Sequence, residues 1–108
     1  MKKILIILIL ISINLYSLTK NEEDFFKASI EGDINKVKEL LALGIDINIQ
    51  DEEGNTALMY ASYKEHIEIV KELIKSGANV NIKDRKGKTA LDYAREEEYD
   101  DIIKLLSK

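Results

Sequence analysis

His66 is the only histidine in the chain, and there is no cysteine. Catalytic use of an imidazole needs a nucleophile or an orienting carboxylate beside it, and a zinc site needs two or three further ligands. Neither set is spaced around His66. Carboxylates occur instead in runs, at Glu22-Glu23-Asp24, Asp51-Glu52-Glu53, Glu96-Glu97-Glu98 and Asp100-Asp101. A calcium loop alternates oxygen ligands at fixed spacing around a glycine; none of these runs does so, and they read as solvated faces. Gly54 and Gly87 are isolated, outside any G-x-G-x-x-G or G-x-x-x-x-G-K-[ST] phosphate cradle. The lack of cysteine removes disulfides, thiol catalysis and thiolate ligands. A formal charge of −4 argues against a nucleic-acid binder, which presents a basic field to phosphates. The expectation is a chain with no catalytic residues, no cofactor, no metal, no nucleic acid and no small-molecule substrate. What remains is a binding surface; a small enzyme built on the carboxylate runs is the alternative of another class.

The elements that position such a surface are clearest between Asp51 and Asn81. Thr56 is placed to N-cap a helix from Ala57 to about Tyr63, its hydroxyl accepting from an N–H of the first turn. Leu58, Ala61 and Ser62 share one face, and the small pair admits a neighbouring helix closely. A second helix carries Ile67, Ile69, Val70, Leu73 and Ile74 as an apolar stripe, with Glu68, Lys71, Glu72 and Lys75 toward water. Gly77 supplies the left-handed residue that ends it. Helices below roughly 12 residues are marginal in isolation, so this pair needs neighbours.

The neighbours are visible as a register of 33 residues. Leu40, Leu73 and Leu106 fall in step, as do Val37, Val70 and Ile103; Ala28, Ala61 and Ala94; and Phe25, Leu58 and Leu91. The turns continue it: Gly44 with Gly77, Asn48 with Asn81, Asp51 with Asp84, Gly54 with Gly87, and Thr56 with Thr89. With 45% hydrophobic and 33% charged residues among 108, the composition fits one small globular domain. Residues 1–17 stand outside the register. Lys2 and Lys3 precede the unbroken aliphatic run Ile4–Ile11, which fades toward Tyr16 and Ser17 and reads as a secretory signal peptide. Left uncut, the same segment is a membrane anchor, although it is shorter than the roughly 20 apolar residues that span a bilayer comfortably. The expected location is secreted or periplasmic, or alternatively membrane-anchored and facing outside the cytoplasm.

A repeat of this length made of a turn and two helices resembles the ankyrin family. The resemblance covers essentially all of residues 21–108 and is carried by Asp51, Gly54, Thr56-Ala57-Leu58, Ala61, His66, Val70, Leu73, Gly77-Ala78 and Asn81, then by Asp84, Gly87, Thr89-Ala90-Leu91 and Ala94. It implies an all-α repeat solenoid of helix-turn-helix units joined by β-hairpin-like loops, about three units including caps. On that reading residues 18–50 form an N-terminal capping repeat, 51–83 a complete repeat and 84–108 a truncated C-terminal cap, together a monomer of modest stability. The resemblance also gives His66 a structural place at the turn between helices. Three departures stand out. Ala57 and Ala90 occupy a position usually held by proline. Met59 and Asp92 replace a histidine whose bonding steadies the hairpin. Glu65 and Glu98 stand where glycine is favoured and where Gly32 is kept, and positive φ at either would cost on the order of 1 kcal/mol. Glu22, Glu23 and Asp24 are expected to front the first helix of the first unit.

Residues that do not repeat are free to specialise, and they fall on the loop tips and the ends of the first helices. One tip carries Gln50, Glu52, Glu53 and Asn55; the next carries Lys83, Arg85, Lys86 and Lys88, of opposite charge. Behind them come Ile30, Tyr63, Lys64, Glu96 and Glu97. An isoleucine and a tyrosine among mixed charges have the composition of an interface centre with a polar rim, so these residues are the candidate partner-binding set. Tyr60 and Tyr93 repeat in register and are assigned to packing.

Overall fold

The computed structural model describes the backbone of residues 2–108 and the side chains of residues 3, 5, 6 and 19–108. The described residues form six helices: α1 (Lys2–Glu31), α2 (Ile34–Ala42), α3 (Ala57–Tyr63), α4 (Ile67–Lys75), α5 (Ala90–Glu96) and α6 (Asp100–Leu106). Consecutive helices pair as α1 with α2, α3 with α4 and α5 with α6, and the pairs stack. The first helices α1, α3 and α5 form one layer, and α2, α4 and α6 form the other. No strand occurs among the described residues.

The 33-residue register is the core seen along the chain. Phe25, Leu58, Val37, Val70, Leu40 and Leu73 are buried, and so are Ala28, Ala61 and Ala94 on the first helices α1, α3 and α5. Ile69 and Ile102 fill the corresponding position in the second layer. Thr56 caps α3 by accepting from the Met59 N–H at 3.3 Å. Thr89 and Asp92 form a reciprocal capping box at the start of α5. The acid at position 92 therefore restrains the start of its helix, rather than merely lacking the bonding of a histidine.

The turn between the two helices of each unit repeats a left-handed residue: Gly32 at φ +84°, Glu65 at +59° and Glu98 at +58°. Glycine adopts this conformation freely, whereas a residue with a Cβ pays roughly 1–2 kcal/mol there. Glycine in turn loses more entropy on folding. Glu65→Gly and Glu98→Gly are each expected to stabilise the fold by about 0.5 kcal/mol net and, being well separated, to add. Urea titrations of the single and double variants measure this; a lowered midpoint in either single variant contradicts it.

One expectation fails here. Glu22, Glu23 and Asp24 do not front a helix, because α1 runs without interruption from Lys2 to Glu31. The segment has neither glycine nor proline to stop the helix, and Lys20 pairs with Asp24 at 3.1 Å one turn along it. The leader assigned to residues 1–17 lies largely outside the described side chains. Among the described residues no helix is long and apolar enough to cross a membrane.

Candidate partner-binding groove

Each loop tip is organised by an aspartate. Asp51 accepts from the Glu53 and Asn55 N–H groups at 3.0 and 2.9 Å, and Asp84 accepts from those of Lys86 and Lys88 at 2.9 and 3.0 Å. Backbone bonds close both turns, from Asp51 N–H to Asn55 C=O and from Asp84 N–H to Lys88 C=O. The second carboxylate oxygen of each aspartate accepts from a tyrosine of the following helix, Tyr60 for Asp51 and Tyr93 for Asp84. These bonds steady the tips where the usual histidine is missing. They also fix both phenol rings. The hydrogen bond to Asp84, reinforced by burial, pushes the Tyr93 phenol up to about 12. Burial pulls the Asp84 carboxyl upward, but the bonds from Tyr93, Lys88 and Lys86 outweigh it and hold the group below its ordinary range.

The tips are joined through the backbone. The Arg85 N–H donates to the Glu53 carbonyl at 3.1 Å, and the Gln50 amide reaches the Gly54 and Lys83 carbonyls at 2.8 and 3.3 Å. Gly54 permits the approach: a Cβ there would lie 3.0 Å from Arg85 N and 3.1 Å from Asp84 Cα. Among the described residues no side-chain ion pair crosses between the tips; Lys88 instead pairs with Glu96 at 2.7 Å.

Behind the tips lies an open cleft of about 220 Å³ lined by Asn55, Met59, Tyr60, Tyr63, Lys86 and Tyr93. The Tyr63 and Tyr93 rings meet edge to face with centroids 6.1 Å apart, and Phe26 meets Tyr60 the same way at 5.9 Å. Lys64 lies over the Tyr63 ring and Lys88 over the Tyr93 ring, each 5.5 Å from the centroid. Tyr63 is 45% exposed, a large share for a ring in a small domain. The cleft is below the roughly 300 Å³ at which small-molecule pockets begin and has room for about one side chain. It continues past Glu53, Arg85 and Lys86 along the tips.

Of the candidate residues, the cleft brings together Asn55, Tyr63 and Lys86, with Glu53 and Arg85 on its continuation. Gln50 is engaged in holding the tips, and Lys83 is exposed at the basic tip. Glu52 and Glu97 are exposed but line neither part of the cleft. Ile30 lies in the last turn of α1 and is 37% exposed; its carbonyl bonds the His66 Nε2 at 2.8 Å. The His66 ring covers Gly32, where a Cβ would sit 2.7 Å from Cε1, so the lone histidine ties the first unit to the second. Met59, Tyr60 and Tyr93 were not expected in the groove. The registered spacing of Tyr60 and Tyr93 marks them as packing residues, yet both hold an aspartate of a tip and line the cleft.

A family model described as ankyrin repeats, in three copies, matches residues 25–108. The chain is also similar to the ankyrin repeat protein YahD of Escherichia coli (strain K12), with 54% identity over 39 residues; that stretch is 36% of this chain and 19% of the length of YahD.

Proposed function

Because the chain belongs to the ankyrin-repeat family, whose repeats generally mediate protein–protein interaction, we propose that it is a non-catalytic module binding a protein partner through its loop tips and the groove behind them. The observation that carries this reading is the cleft itself. An exposed tyrosine and the buried Met59 meet two phenol rings held by their own aspartates, within a polar rim. Rigid aromatic rings surrounded by charge are where interface energy concentrates. The test is affinity capture with wild type and a Tyr63→Ala, Lys86→Glu double variant, with equal thermal stability as the control. The double variant is expected to retain less than about a tenth of the partner, since interface anchors carry on the order of 2 kcal/mol each. Undiminished capture places the interface elsewhere.

The proposed location is secreted or periplasmic, supported by Lys2 and Lys3 ahead of the aliphatic run Ile4–Ile11. A second reading, a membrane-tethered spacer, draws on the uninterrupted helix α1, which carries that run directly into the first repeat. The mass of the mature N-terminus separates them: loss of residues 1–17 supports export with cleavage, and an intact N-terminus in the membrane fraction supports the tether.

A further inference from the structure

We propose that the groove takes an acidic peptide segment of its partner, one apolar or aromatic side chain seated in the cleft and a flanking carboxylate on the Lys86 tip. The proposal rests on the groove reading above and adds the chemistry of the occupant. Charge complementarity carries it. The residues lining the cleft itself include no acid, and their one ionised group is the Lys86 ammonium; the continuation along the tips sets Arg85 and Lys86 beside Glu53 and Asp84. Lys64 adds a cation above the Tyr63 ring, while Lys88, over the Tyr93 ring, is paired with Glu96.

Of the acids nearby, Glu52 is exposed at the adjoining tip, and the others are already engaged. Asp51 and Asp84 accept from backbone N–H groups and tyrosine hydroxyls, Glu96 holds Lys88, and Glu53 accepts from the Asn55 amide at 3.4 Å. By contrast, Lys83, Arg85 and Lys86 form no side-chain ion pair among the described residues. All three are exposed. The free valence of the groove is thus cationic although the whole chain carries −4. A carboxylate delivered by a partner meets exposed cations that no internal ion pair holds, whereas a lysine delivered there meets like charge. The hydroxyls of Tyr60 and Tyr93 are committed to Asp51 and Asp84, so their rings offer the anchor apolar surface.

Three fluorescein-labelled peptides test this by anisotropy: a central leucine flanked on both sides by glutamates, the same leucine flanked by lysines, and the glutamate frame with a central alanine. The first is expected to bind about tenfold more tightly than either other, and more weakly as salt rises. Lys86→Glu is expected to reverse the preference for glutamate over lysine, and Tyr63→Ala to weaken the leucine peptides of both charges. If the lysine peptide binds as well or better while Tyr63→Ala still weakens it, the acidic assignment falls and the groove stands. If neither variant changes binding of any peptide, both fall. Absence of binding by all three overturns the inference.

Discussion

Leu73→Ala is expected to cost about 2–5 kcal/mol of unfolding free energy, the range for truncating a buried leucine. Domains hold roughly 5–15 kcal/mol in total, so this one change removes a large share of what keeps the chain folded. Leu73 is 0% exposed and sits on α4, the second helix of the central unit. α4 packs on α3 and on both α2 and α6, so the vacated volume opens at two stacking surfaces together. In a repeat array stability is approximately the sum of intrinsic unit terms and nearest-neighbour terms. Weakening the middle unit therefore takes support from both ends. Leu106, the same position in the last unit, is 6% exposed and has one neighbouring unit. Leu106→Ala is expected to cost less than half as much. Chemical denaturation followed by circular dichroism measures both; equal losses would show that the stack does not distribute its stability this way.

Those positions are readable from the sequence alone, and the reason is physical. A residue between two stacked units must be apolar in every unit, so Leu40, Leu73 and Leu106 declare themselves by recurrence. The positive φ at Glu65 and Glu98 was legible in the same way, since Gly32 shows what the backbone requires at that point. The groove was only partly legible. Tyr63 and Lys86 stood out because they break the register, but Tyr60 and Tyr93 keep it. Recurrence was read as packing, and nothing in spacing alone reveals that a tyrosine nine positions after an aspartate returns to bond it. That bond depends on how the loop folds back over the following helix, a tertiary property. The start of the first repeat was misread for a related reason. A run of acids at Glu22-Glu23-Asp24 is compatible with a helix N-terminus, but it cannot end a preceding helix that contains no residue to break it.

The second large effect is expected at the aspartate that connects tip and groove. Asp84 is 8% exposed and serves three donors, the Lys86 and Lys88 N–H groups and the Tyr93 hydroxyl. Bonds to a charged acceptor contribute about 1.5–3 kcal/mol each before overlap, and donors left unpaired in a buried place cost further. Asp84→Ala is therefore expected to cost roughly 2–4 kcal/mol, and Asp51→Ala, at the more exposed equivalent, less. Asp84→Asn keeps an acceptor for the backbone but turns an amide N–H toward the phenol, and falls between.

The pH dependence follows from the shift directions. The Asp84 carboxyl is lowered from 3.8 in the folded chain, so its contribution is present above that value and lost as pH falls through the folded one. The Tyr93 phenol is raised from 10.0 to about 12, so its contribution is complete below pH 10 and lost as pH rises toward 12. Tyr93→Phe is expected to flatten the stability profile at both extremes, whereas loss of packing alone would lower it evenly. Because the same bonds fix the turn carrying Lys86 and the ring of Tyr93, Asp84→Asn is also expected to weaken binding of the glutamate-flanked leucine peptide at neutral pH, where the folded fraction is unchanged. Binding that survives Asp84→Asn but fails with Lys86→Glu would mean that the groove needs the charge of its tip without needing the tip to be held.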